Sequence, residues 1–220
     1  MYYILLDERI VMEDIQMIQT ILTNHIPNSS HDAAVMLPLV READQSLSLL
    51  FEIRALSLRS QPGEVCFPGG RIDSDDANPV SAASRELCEE LGLTLNDIHV
   101  LSPSALEPIM SPRRGTIHPF LCYIQNPDTI KPNAAEVSST FRIPLKYLLE
   151  NPAEEHQTSF EFSFAKSFPF ERIANQSAYQ NRKQTYTEYV IQYDGHIIWG
   201  LTARMIVAFT SMLKAGDFAV

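Results

Sequence analysis

The chain has 220 residues, of which 45% are apolar and 20% charged, with a net charge of −10 and a pI near 5.0. That composition supports one large folded domain, or at most one and a half, with a proper core. It argues against a broad nucleic-acid surface, which needs clustered Lys and Arg, and a protein this acidic needs a divalent cation to handle phosphates. The three cysteines, Cys66, Cys88 and Cys122, form neither a CxxC nor a Cys/His cluster, so no disulfide framework or zinc site is expected. The first residues lack a basic n-region and no run of about 18 apolar residues occurs, so no signal peptide, no membrane association and a cytoplasmic location are expected.

In chain order, Ile10, Ile15, Ile18, Ile21 and Leu22 recur at helical spacing and predict a helix over about 10–24. Residues 33–40 and 47–55 read as strands joined by a polar turn, and "EVCFPGG" (64–70) as a short strand running into a glycine turn. Asn78-Pro79 reads as N-cap and first helical residue, and Gly92 as C-cap, which predicts a helix over 79–91. Further strands are expected at 98–106, 117–124, 158–164, 186–193 and 196–200, with Asp194-Gly195 as a hairpin turn. Residues 201–213 read as a closing helix with Thr202 as its cap. The mixture lacks regular βαβ alternation, so the fold class is α+β. Residues 150–185, polar and aromatic by turns, resist assignment.

The chemistry concentrates on the helix at 79–91. Glu86, Glu89 and Glu90 stand at i, i+3 and i+4, on one face, with neighbouring Cβ atoms about 5–6 Å apart. Three like charges there oppose each other unless a cation sits over them. Hard Mg²⁺ suits such oxygen ligands and recruits substrate phosphates as further ligands. Arg85 can reach Glu89 at i+4 and fix a carboxylate rotamer. The bland alternative is a solvated Glu-rich helix. Against it stand seven specified positions in "RELCEELGL" (85–93), a chance match on the order of one in 10⁵ for a chain this long.

Preceded by Gly69-Gly70, "RELCEELGL" resembles the signature box of Nudix hydrolases, which cleave a nucleoside diphosphate linked to another group with Mg²⁺ or Mn²⁺. The family's usual form is G, five residues, E, seven residues, then REUxEExGU with U apolar. This chain departs from it. Counted back from Arg85, the usual Glu falls at Ala77 and the usual Gly at Arg71. One residue is therefore extra, and Asp73, Asp75 or Asp76 must stand in for the first Glu. Upstream, "FEIRALSLRSQPGEVCFPGG" (51–70) resembles the segment before the box in coenzyme A pyrophosphatases of this superfamily, at Arg54, Arg59, Gly63, Val65, Phe67, Pro68, Gly69 and Gly70. Gln61 occupies the His position, and Glu52 replaces a Thr. "NAAEVSSTFRIPLKYLL" (133–149) and "IWGLTARMI" (198–206) resemble family segments too.

The resemblance implies a Nudix-type α/β/α sandwich with a mixed sheet, as a single domain over 1–220, with the helix at 10–24 appended and 150–185 a family-variable insert. It implies hydrolysis of the pyrophosphate of coenzyme A or its derivatives to 3′,5′-ADP and 4′-phosphopantetheine. Glu86, Glu89 and Glu90 would bind Mg²⁺ or Mn²⁺ together with the Gly70 carbonyl. Arg85 would orient the box, and Glu86 or Glu136 would act as general base. Arg54, Arg59, Gln61, Phe67, Pro68 and Gly69 would contact the substrate, arginine being suited to bidentate phosphate contact. Two alternatives stay open: another nucleoside diphosphate derivative (NADH, ADP-ribose, an oxidised dNTP), or a catalytically silent nucleotide-binding module. The expected partner is a small-molecule substrate, with a homodimer kept open. Cys66 and Cys88 read as small buried hydrophobes, His118 as a structural histidine, and "SPRRG" (111–115) as a basic loop.

Overall fold

The computed structural model describes residues 32–101, 106–111, 115–161, 164–176 and 183–216. The helix expected over 10–24 and the arginines of the basic loop lie outside the described residues. Strand β1 (Ala33–Arg41) turns back into β2 (Leu47–Arg54), with Leu39 opposite Leu49. Beyond that point the two strands diverge, and the next stretch fills the gap. Its first part, β3 (Val65–Cys66), pairs with β2, and its second, β4 (Gly69–Arg71), pairs with β1. Between them, the Pro68 carbonyl accepts the Met36 N–H at 2.8 Å. Helix α1 (Pro79–Leu91), β5 (Ile98–Val100), β6 (Ile109–Ser111) and β7 (Gly115–Ile124) follow. β7 runs parallel to β1, while β8 (Val137–Pro144) lies antiparallel along β2. One parallel pair in an otherwise antiparallel eight-stranded sheet makes it mixed.

Short helix α2 (Leu145–Glu150) leads to a second, antiparallel sheet of β9 (Glu154–Glu161), β10 (Lys183–Tyr193) and β11 (His196–Trp199), closed by α3 (Gly200–Ala215). Alternation along the central strands builds two apolar layers. Met36, Val40 and Leu50 pack with Ala82, Ala83, Leu87 and Leu91 of α1. Leu37, Leu39, Leu49 and Phe51 face the other way, onto Leu145, Leu148, Ile191, Ile198, Met205 and Phe209. This is the expected α/β/α sandwich, with both faces of the sheet covered. Each fully buried Leu or Phe contributes roughly 1.5–3 kcal/mol.

Helix α1 begins and ends where its caps predict. Asn78 Oδ1 accepts the Ser81 N–H at 2.9 Å, and Ser81 Oγ accepts the Asn78 N–H at 3.0 Å. Gly92 sits at φ +64°, and Leu93 N–H closes onto the Cys88 carbonyl at 3.0 Å. Elsewhere the structure corrects the reading. Of the strand expected over 98–106, Ile98–Val100 pairs with β7, the Leu101 and Leu106 N–H groups donate to the Leu121 and Pro119 carbonyls at 2.9 and 2.7 Å, and 102–105 lie outside the described residues; β6 forms separately. Residues 133–149, left without elements, hold β8 and α2. The segment 150–185 contributes β9 and the first residues of β10 to the second sheet. The strand expected at 158–164 begins earlier, as β9 at Glu154, and because β9 is exposed along almost its whole length no apolar face marks where it starts. Thr202 does not cap α3, which starts at Gly200 with Trp199 in the cap position. Instead its hydroxyl donates to the Val65 carbonyl at 3.2 Å and ties α3 to β3. Among the described residues no helix is long and apolar enough to cross a membrane.

Candidate active site

The split between β1 and β2 creates the site. Because β3 and β4 lie in that gap, the backbone at Gly69-Gly70 is driven against α1. Gly69 N–H donates to Glu90 Oε2 at 2.8 Å. A Cβ on Gly70 would collide with the Glu86 carboxylate, and one on Gly69 with the Ala34 carbonyl and Val35 of β1. Only glycine permits this approach. A cavity of about 690 Å³ opens over it, lined by Gly69, Gly70, Glu86, Glu90 and Glu136 together with Arg54, Gln61, Glu64 and Arg71.

The carboxylates are far from ordinary. Burial pushes the Glu90 carboxyl up to about 9, and repulsion from Glu52, Glu86 and Glu136 adds to it. Burial also raises Glu86, against the favourable pull of Arg85. Beneath them lies Glu52 of β2, 1% exposed. Burial pushes it up to about 7, opposed by the Cys66 thiol, which donates to its Oε1 at 3.1 Å. Its Oε2 is buried and, among the described residues, without a hydrogen-bond partner. Glu52 is the site residue that sequence reasoning missed. Its replacement of a Thr was visible, but nothing local shows that it lies under Glu90.

Arg85 holds this end of the helix in place. Its Nε and Nη2 donate to the two oxygens of Asp76 at 3.1 and 2.9 Å, and its Nη1 donates to Glu86 at 2.9 Å. These charge-assisted bonds lower the Asp76 carboxyl and raise the guanidinium further. Of the three aspartates that could replace the usual glutamate, Asp76 therefore takes the arginine. Asp73 stands 3.6 Å away from it, mostly exposed.

The other expected site residues divide. Arg54, Gln61 and Gly69 line the cavity, while Arg59 is exposed and lies outside its lining. Phe67 is a correction: it is 2% exposed and stacks on Phe51 at 4.7 Å in the core of the opposite face. Pro68 is likewise buried, its carbonyl used by β1. Glu89 points to the flank of α1, 56% exposed, with Arg85 Nη1 at 3.4 Å. His118 does not line the cavity. No thiol is activated, since burial pushes Cys88 up to about 11, Cys122 up to about 12 and Cys66 higher still.

This oxygen-only donor set suits a hard divalent cation. A cation would relieve the repulsion that lifts Glu86 and Glu90 and would answer the orphaned buried oxygen of Glu52. Among the described residues no three acidic, histidine or cysteine side chains already converge on one point. The remaining ligands would come from the Gly70 carbonyl, water and substrate phosphates, as Mg²⁺ prefers.

The chain is similar to several known proteins. A family model described as a NUDIX domain matches residues 30–189. A peroxisomal coenzyme A diphosphatase of Caenorhabditis elegans is 36% identical over 145 residues, 64% of this chain and 60% of its own length. A mitochondrial coenzyme A diphosphatase of Homo sapiens is 32% identical over 189 residues, 84% of this chain and 71% of its own. A peroxisomal coenzyme A diphosphatase of Mus musculus is 36% identical over 121 residues, 55% of this chain and 50% of its own.

Proposed function

The chain belongs to the Nudix family, and from that premise we propose that it hydrolyses the pyrophosphate of coenzyme A or a derivative. Water adds across the P–O–P bridge, giving 3′,5′-ADP and (acyl-)4′-phosphopantetheine. The observation that carries the reading is one cavity in which buried Glu86 and Glu90 meet a glycine turn, with Arg54 and Arg71 on the same lining. The coenzyme A diphosphatases among its relatives point to the substrate. Glu86 and Glu90, with Glu89 and the Gly70 carbonyl, would hold Mg²⁺ or Mn²⁺. The bound cation supplies charge neutralisation and activation of water. Gly69 N–H fixes the Glu90 rotamer, and Arg85, clamped by Asp76, fixes Glu86. Glu86 or Glu136 takes the proton of the attacking water. Arg54 and Gln61 bind phosphate oxygens.

Product analysis after incubation with coenzyme A and each metal tests this. Turnover of coenzyme A is expected to exceed that of NADH, ADP-ribose and 8-oxo-dGTP, and a last place for coenzyme A overturns the substrate. Nucleotide binding without metal-dependent turnover of any pyrophosphate would favour the silent-module alternative. Residues 1–220 act as one unit, in the cytoplasm. Fractionation tests the compartment, since the relatives are named as mitochondrial and peroxisomal.

A further inference from the structure

Part of the cavity lining is apolar and is not used by the hydrolytic chemistry. Leu58, Trp199 and Leu201 belong to it. Trp199 is 53% exposed and ends β11, one residue before α3. On that strand Ile198 is fully buried in the core, so Trp199, its neighbour, lies on the opposite face of the sheet. There it stands across from Val190 of β10. Glu188, two residues before Val190, shares this face by alternation. Its Oε2 is buried and, among the described residues, without a hydrogen-bond partner. His156, across from it on β9, turns to Glu154 Oε2 at 3.2 Å. A half-exposed indole at a cavity wall, with an orphaned acceptor on the same sheet face, suits a flat aromatic ring that carries an N–H donor.

We infer that Trp199 is the platform on which the adenine base of the substrate stacks, and that Glu188 accepts from its exocyclic amine. The inference rests on the proposed coenzyme A reading and deepens it, by assigning the nucleoside half to the Trp199 wall of the cavity. Base–aromatic stacking is tolerant of orientation, and a carboxylate accepts from an amino group but not from a carbonyl.

Trp199 is the only tryptophan of the chain, so its fluorescence reports the site directly in the whole protein without turnover. 3′,5′-ADP is expected to quench it saturably, and 4′-phosphopantetheine is not. The inosine analogue of 3′,5′-ADP, which has a carbonyl in place of the amine, is expected to bind roughly tenfold more weakly. Glu188→Gln should remove most of that difference. Trp199→Ala should raise KM for coenzyme A roughly tenfold, by more than it lowers kcat, and Trp199→Phe should restore most of the loss. Quenching by phosphopantetheine alone overturns the inference. So does coenzyme A hydrolysis without any quenching by 3′,5′-ADP, which would leave the hydrolase reading standing. Quenching by 3′,5′-ADP without coenzyme A hydrolysis supports the base platform and removes the hydrolase reading instead.

Discussion

Glu90→Gln separates the electrostatic function of the site from its structural one. Glutamine keeps the shape and an oxygen that can accept the Gly69 N–H now bound at 2.8 Å, but it removes a charge buried to 5% exposure. The Glu90 carboxyl is raised from an ordinary 4.5 to about 9. A raised folded-state value means the folded protein holds the proton more tightly. The resulting stability is complete below 4.5 and is lost as pH rises through about 9. Glu52, raised to about 7 and repelling Glu90, is half titrated at pH 7 and finishes within the same window, so from pH 7 to 8.5 Glu90 dominates the slope without being its sole source. There the chelated protein should lose about 1.4 kcal/mol per pH unit, about 2 kcal/mol in all. For a chain of this size that is a fall in Tm of roughly 4–8 °C. Scanning fluorimetry in EDTA should show this slope in the native protein and little of it in Glu90→Gln. Adding Mg²⁺ or Mn²⁺ should recover the Tm of the native protein only. Turnover should drop by roughly 10²-fold or more, because the site loses one of its charges. An equal slope in both proteins, or a large fall in Tm with turnover retained, would refute the assignment of Glu90 to a cation site.

Three further outcomes follow from the geometry. Gly70→Ala places a Cβ into the Glu86 carboxylate; kcat should fall at least roughly tenfold, with a Tm change small beside it. Asp76→Asn removes the charged partner that Arg85 grips through two nitrogens and should lower kcat roughly 10–100-fold, whereas Asp73→Asn should leave it within about twofold. Arg54→Ala should raise KM for coenzyme A, as expected of a cavity-lining cation, while exposed Arg59→Ala should change kcat/KM by less than about twofold; the reverse order would restore the phosphate role first expected of Arg59.

What could be read from the sequence was what is decided locally. Helix α1 was legible, at about 79–91, because Asn78, Pro79 and Gly92 act within one turn of their own backbone. The acidic face of that helix followed from spacing alone. Contacts made across the chain were not legible. Nothing near Glu90 announces that Gly69, 21 residues earlier, donates to it. Nothing near Arg85 selects Asp76 over Asp73 or Asp75, since the choice depends on how the loop folds back. Glu52 was visible only as a replaced Thr, because its neighbours in space, Cys66 and Glu90, come from other elements.

The family resemblance carries "FPGG" as one piece, but packing divides it in two. The segment 65–71 leaves β2 and joins β1 between Cys66 and Gly69, so its residues cannot all face the cavity. Phe67 goes to the core against Phe51, and Pro68 presents its carbonyl to β1. Only Gly69 and Gly70 reach the acids. Phe67 and Pro68 therefore set where the glycine backbone stands, and their effect on catalysis runs through position. A substitution at Phe67 that preserves ring volume should be tolerated, and one that empties the space should lower stability by roughly 3–5 kcal/mol. Loss of activity in the second case should track loss of fold. A Phe67→Leu protein with native Tm but abolished turnover would show that the ring meets the substrate after all.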